Sequence, residues 1–300
     1  MSDLLPSRFT RRTVDADGVR IHTRVAGEGP PVLLLHGYPQ THLVWHQVAP
    51  LLADTYTVVL TDLRGYGDSD KPPSDPDHAT YAKRAMARDQ LRVMGELGFD
   101  RFAVAGHDRG GRVAHRLALD HPEAVTALAV LDIVPTRHVF RHIDADFGRG
   151  YYHWFFLAAE NGIPEHLIGA DPEFWVRARM VARHYGGASF TSAAQDEYVR
   201  CFSDPAAIHA SCEDYRAAAG IDLVHDDEDA AAGRRITCPV LALWGERGFV
   251  GRHYDVPAVW REYADDVRGY AMPSGHYVPE EAPGPTAGHL AAFLRDSSRS

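Results

Sequence analysis

The sequence is poor in cysteine: Cys201, Cys212 and Cys238 are all that its 300 residues contain. An odd number at these spacings matches neither a zinc pattern nor a disulfide framework, so reduced structural thiols in a cytoplasmic setting are expected. No apolar run approaches the ~18 residues of a membrane span. Met1 to Arg12 lacks the apolar core of a signal peptide. Positive charge is also scarce: 31 Lys and Arg face 41 Asp and Glu, a net charge of −10. That argues against nucleic-acid binding, which wants a basic face. It also means that an anionic ligand must be met by local cations. Internal repeats and low-complexity stretches are absent. The glycine-rich stretch Asp62 to Ser69 lacks the Gly-Lys-[Ser/Thr] ending of a phosphate loop and reads as structural. No cofactor and no metal are expected.

What is present centres on Phe102 to Leu119. A short apolar run leads into Gly106-His107-Asp108-Arg109-Gly110, and an amphipathic segment follows. Strand, sharp turn and helix in this order form the nucleophile elbow of α/β-hydrolases, with Asp where esterases carry Ser. The turn forces its central residue into a strained backbone conformation. The helix that starts behind it favours an ionised carboxylate. A carboxylate there can displace a leaving group from saturated carbon and remain as an ester. A helix-capping Asp is the plainer reading, but capping requires neither the flanking glycines nor the buried strand.

Elsewhere the pattern alternates. Thr13 to His22 reads as a hairpin turning at Asp17-Gly18. Val32–Leu35, Thr57–Thr61, Phe102–Ala105, Thr126–Ile133, Cys238–Trp244 and Val267–Met272 read as strands. Val44–Ala53, Tyr81–Leu97 and Gly288–Leu294 read as helices. This predicts a mostly parallel central sheet flanked by helices. From about Arg137 to Ala219 strand-like runs stop. Helix-compatible pieces take over at Tyr151–Leu157, Pro172–Tyr185 and Ala194–Phe202, which predicts an inserted helical cap. Asp222 to Arg235, acidic and rich in Ala and Gly, reads as a solvated return linker. The expected division is a first core part at 1–138, a cap at 139–226 and a second core part at 227–300.

Hydrolysis of an ester on Asp108 needs a base to activate water. In this fold the His comes last, and His276, on the turn after the final strand, fits; His289 sits inside the terminal helix. The carboxylate that orients His276 is either Asp132 or Glu246, each at the end of a strand, and pattern alone leaves both open. The His36-Gly-Tyr-Pro-Gln40 turn ends a central strand. It is either a plain tight turn, with room for a cis proline, or the place where the Tyr38 amide joins that of Arg109 in an oxyanion hole.

His107-Asp-Arg-Gly-Gly-Arg112, Leu131-Asp-Ile-Val-Pro-Thr136, Tyr152-His-Trp-Phe155 and Asp204 to Arg216 together resemble the fluoroacetate dehalogenases, over most of Pro31 to His276. The resemblance implies an α/β-hydrolase fold with a helical cap, a homodimer, and a small haloacid as substrate. It makes Asp108 the nucleophile, His276 the base and Asp132 its partner. It makes Arg109 and Arg112 the clamp on the substrate carboxylate, and His153, Trp154 and Tyr215 the halide site. The chain departs from the family at Tyr38, at Glu246-Arg247 and around His184 to Thr191. An epoxide hydrolase of the same fold would share Asp108, His276 and Asp132, and would draw a proton donor from Tyr151, Tyr152, Tyr185, Tyr198 or Tyr215. An uncharged epoxide, however, gives Arg109 nothing to bind.

Overall fold

The computed structural model describes residues 4–183 and 190–298. Eight strands form one sheet: β1 (Thr10–Ala16), β2 (Val19–Ala26), β3 (Pro31–Leu35), β4 (Thr57–Thr61), β5 (Phe102–His107), β6 (Val125–Leu131), β7 (Val240–Gly245) and β8 (Val267–Met272). Their order is β1-β2-β4-β3-β5-β6-β7-β8. β1 and β2 pair antiparallel through the Asp17-Gly18 turn, β2 is antiparallel to β4, and every later pairing is parallel. The central strands are apolar throughout because helices cover both sheet faces. Leu33, Leu34, Leu128 and Val240 are fully buried, each contributing roughly 1.5–3 kcal/mol. β3, β5, β6 and β7 all end on the same side of the sheet, where ligands collect in such folds.

Helices cover the flanks, notably Lys83–Glu96, Arg109–Asp120 behind the elbow, and Pro283–Ser297, which extends well beyond the expected Gly288–Leu294. Between β6 and β7 the described chain is helical from Thr136 to Ala231, including Tyr152–Leu157, Pro172–Arg183, Ser192–Phe202 and Pro205–Ala219. This is the inserted cap. The expected end of one cap helix at Tyr185 lies outside the described residues.

Two expectations are corrected. Val44–Ala53 is not one helix. A 3-10 turn at His42–Trp45, capped by Thr41, gives way to a short helix at Ala49–Leu52. Pro50 lacks an N–H for the preceding turn and instead starts a new one. Nor is Asp222 to Arg235 a solvated linker: Ile221–Ala231 is a helix. Asp222, Asp226 and Asp229, at helical spacing, share one face. That face meets core cations. Asp222 accepts the backbone N–H of Lys83 at 2.8 Å and lies 3.4 Å from its Nζ. Arg116 of the elbow helix pairs with Asp226 at 2.5 Å and also with Asp229. The acidic residues therefore tie the end of the cap to the core.

Candidate active site

The elbow lifts Asp108 above the sheet at φ 49° and ψ −115°, a strained conformation that costs about 1–3 kcal/mol. It holds only because the surrounding chain comes close. A Cβ on Gly110 would strike the His36 carbonyl, and one on Gly37 would strike the Asp108 side chain itself. In the His36–Gln40 turn the Tyr38-Pro39 peptide is cis, and the Tyr38 N–H donates to Asp108 Oδ1 at 3.0 Å. The turn is thus both tight and aimed at the carboxylate.

His276 follows β8 with Nε2 at 3.5 Å from Asp108 Oδ2. Its Nδ1 lies 2.6 Å from Asp132 Oδ2. A carboxylate oxygen at this distance accepts, so the bond assigns the proton to Nδ1 and leaves the Nε2 lone pair facing Asp108. Asp132 also has a positive φ of 52°, and its Oδ1 accepts the Gly245 N–H at 3.0 Å. The competing carboxylate, Glu246, points outward with half of its side chain exposed, 3.5 Å from Arg247. His289 is stacked on Tyr270 in the terminal helix. The loop carrying His276 is pinned from both sides, because Glu281 accepts the N–H groups of Gly275 at 2.7 Å and Tyr277 at 2.9 Å.

The adjacent Glu280 is buried and accepts from Tyr198 Oη at 3.0 Å and from the Gln40 amide. Burial pushes its carboxyl up to about 8, although both donors pull the other way. Folded Glu280 therefore holds its proton more tightly than unfolded Glu280. The resulting stability is complete below the ordinary carboxylate range and is lost as pH rises through about 8. Glu280→Gln should cancel this loss. Urea unfolding is expected to show the variant gaining on wild type by on the order of 3 kcal/mol between pH 5 and pH 9; parallel pH profiles would contradict it.

Arg109 and Arg112 both face the Trp154 indole, with Cζ 5.7 and 4.6 Å from the ring centroid. Arg109 also lies 4.1 Å over the Tyr215 ring. Its Nε and Nη2 donate to Asp214 at 3.0 and 2.5 Å, while Nη1 has no hydrogen-bond partner among the described residues. Asp214 also receives Lys83 Nζ, and the Tyr66 hydroxyl at 2.7 Å. Burial opposes the Arg109 charge, but Asp214 outweighs it and holds the guanidinium above its ordinary pKa. Arg112 donates Nη1 to the Val134 carbonyl and Thr136 Oγ1, both at 3.0 Å, and its Nε has no hydrogen-bond partner among the described residues. Burial, then the Arg109 charge, brings Arg112 down to about 10, so it stays cationic at neutral pH. A carboxylate between the two would relieve both.

His153, Trp154 and Tyr215 meet nearby: the His153 and Tyr215 rings are 5.8 Å apart, and those of Trp154 and Tyr215 6.1 Å. Trp154 Nε1 and Tyr215 Oη are buried without hydrogen-bond partners among the described residues. Every residue of this constellation is 5% exposed or less, so the chamber is closed to bulk water. Among the described residues two groups of possible metal ligands, His22-His42-Asp62 and Glu165-His209-Glu213, lie outside it; His42 bonds Asp62, Glu165 bonds His209 and Arg216, and Glu213 bonds Arg216, while the His22 ring packs on His42.

Sequence reasoning did not single out Asp214, Lys83, Trp175, Arg179 or Glu281. For Asp214 a signal existed. Pro205–Ala219 carries small residues all round, as a buried helix does, so charges within it must be paired.

The chain matches the model of the alpha/beta hydrolase fold family over residues 30–283. It is 46% identical to the fluoroacetate dehalogenase of Burkholderia sp., over 96% of this chain and 95% of that one. It is 36% identical to a soluble epoxide hydrolase of Corynebacterium sp. (strain C12), over 93% and 95%. Among solved structures, ALR0039 of Nostoc sp PCC 7120, assigned to the alpha/beta hydrolases, superposes with a TM-score of 0.94 at 55% identity, covering 96% of this chain and 98% of that one. Fold, elbow and relatives converge: this chain is a hydrolase of the α/β-hydrolase superfamily and belongs to its fluoroacetate dehalogenase family.

Proposed function

We propose that the protein is a haloacetate dehalogenase, converting fluoroacetate or chloroacetate and water into glycolate, halide and a proton. The observation that carries this reading is the pair of buried guanidiniums beside Asp108, each with an unpartnered nitrogen turned from its protein acceptors. A planar carboxylate is the ligand that suits them.

With the carboxylate so held, the CH2 carbon lies before Asp108. Such positioning supplies several kcal/mol, up to roughly 7–11. Asp108 Oδ2 attacks in line, the carbon–halogen bond breaks, and the halide leaves with the bonding pair. Trp154 N–H, Tyr215 O–H and the His153 ring replace its water. His276 Nε2 then takes a proton from water, which adds to the ester carbon. Oδ1, which accepts the Tyr38 amide and is assigned the Arg109 amide as second donor, carries the oxyanion charge; on collapse His276 returns its proton to the leaving oxygen, which frees glycolate, and the Asp108 carboxyl sheds the remaining proton. Asp132 keeps the His276 tautomer and steadies the imidazolium.

Halide release from fluoro-, chloro- and bromoacetate, read with an ion-selective electrode, tests the reading. Diol formation from epoxides without halide release would replace it. That second reading has one observation in its favour, the unpartnered Tyr215 hydroxyl. Of the other cap tyrosines, Tyr151 packs on Phe147 and Phe249, Tyr198 is committed to Glu280 and Tyr152 is half exposed, while Tyr185 lies outside the described residues. If Trp154 binds the leaving halide, Trp154→Phe should lower kcat about 100-fold with fluoroacetate. The loss should be smaller with bromoacetate, whose leaving group needs less help; an equal loss with both would remove this role.

The reading includes a cytoplasmic homodimer and a cap bounded at 139 and 226. Phe174 and Val181, both exposed and two turns apart on Pro172–Arg183, are apolar side chains that a second copy would cover. Sedimentation at micromolar concentration tests the dimer.

A further inference from the structure

Arg179 is a cap cation that the steps above leave unused. It lies one turn after Trp175 on Pro172–Arg183, so the two share a face. Trp175 Nε1 donates to Tyr38 Oη at 2.5 Å, and the Arg179 carbonyl accepts from Tyr277 Oη at 3.4 Å. The helix is thus held between the turn that binds Asp108 and the residue after His276. The side chain is 4% exposed, and its Nη2 is shut off from water with no hydrogen-bond partner among the described residues. On the outer side its Cζ lies 5.5 Å from the ring of Tyr152, which is half exposed. Burial pushes the Tyr38 and Tyr215 phenols up and the Arg179 charge pulls them back, so that charge is felt inside the chamber. A guanidinium nitrogen buried without a hydrogen-bond partner among the described residues is costly, and one aromatic face offsets only part of the cost. An anion would offset the rest.

We propose that Arg179 is an anion-binding residue on the access route to the chamber, receiving the substrate carboxylate before it passes to Arg109 and Arg112. The proposal rests on the haloacetate reading for its substrate, though not for the site itself. Its position between surface Tyr152 and the helix contact to Tyr38 fits a station on the way in, and none of the bond-making steps above uses it.

Arg179→Met and Arg179→Lys, with Arg179→Gln as a second neutral variant should the Met form not fold, test it by halide release from chloroacetate at increasing salt. The neutral variants are expected to raise KM about tenfold or more, to change kcat less than about threefold, and to flatten the salt dependence of kcat/KM. Arg179→Lys should restore most of KM. Acetate titrated calorimetrically into wild type and variants should show the same loss of affinity, and this arm needs no turnover. A wild type that binds acetate but releases no halide would end the haloacetate reading and leave Arg179 to the acetate result. Unchanged KM and acetate affinity in the neutral variants would overturn the proposal. So would a fall in kcat at constant KM, the mark of a structural role.

Discussion

Asp108→Ala should release no halide measurably, roughly 10⁴-fold or more below wild type. His276→Asn should stop one step later. In the first variant the attacking oxygen is gone. In the second, Asp108 still lies on the Tyr38 amide and still attacks, but nothing 3.5 Å away takes a proton from water. The His276 variant should therefore release one equivalent of halide per active site and then halt, its intact mass raised by one carboxymethyl group. Peptide mapping should put that group on the Gly106–Gly110 elbow. Wild type turned over once in heavy-oxygen water should carry the label in Asp108 rather than in glycolate. Label found first in glycolate would mean that water attacks carbon directly, and the ester step would have to be abandoned.

Removing Asp214 is expected to have the next largest effect. Its carboxylate is fully buried and receives Arg109, Lys83 and Tyr66 together. Arg109 and Lys83 hold it ionised well below the usual carboxylate range, against the effect of burial. Asp214→Ala leaves two cations facing each other in a dry interior, which should cost about 3–5 kcal/mol of stability. Asp214→Asn keeps the shape and most acceptors, so it should fold. Its Arg109 fork would lose its charged anchor, and kcat/KM for chloroacetate should fall at least about tenfold, mostly through KM. Urea unfolding and steady-state kinetics read the two effects separately. An Asp214→Ala protein within about 1 kcal/mol of wild type would show that the charges find other partners.

The sheet was legible because its strands have few competitors. Thr57–Thr61 and Val267–Met272 are short runs bounded by breakers, and both stand as read. The elbow was legible for a steric reason: backbone passing as close as the His36 carbonyl leaves no room for a side chain at Gly110. What failed were inferences from composition. Asp222 to Arg235 looked solvated because it is acidic, yet its partners Arg116 and Lys83 lie 113 and 139 residues away in sequence. The spacing of the acids was visible, but not what they would face. Between Asp132 and Glu246 the strand pattern could not choose, since both end a strand. The distinction is angular: the positive φ at Asp132 turns its carboxylate onto His276. Asp214 was hidden beside Tyr215, its role set by a guanidinium on another element.

The cap is held unevenly along its two margins. On one, Asp214, Asp222 and Asp226 bind Arg109, Lys83 and Arg116 through buried charges. On the other, Pro172–Arg183 meets the core through neutral contacts at Tyr38 and Tyr277, worth about 1 kcal/mol apiece. Breaking those neutral ties uncovers no buried ion pair, so amide exchange is expected to be faster along Pro172–Arg183 than along Pro205–Ala219. Under the proposed function, a small acid entering from that side would leave the Arg109–Asp214 grip intact.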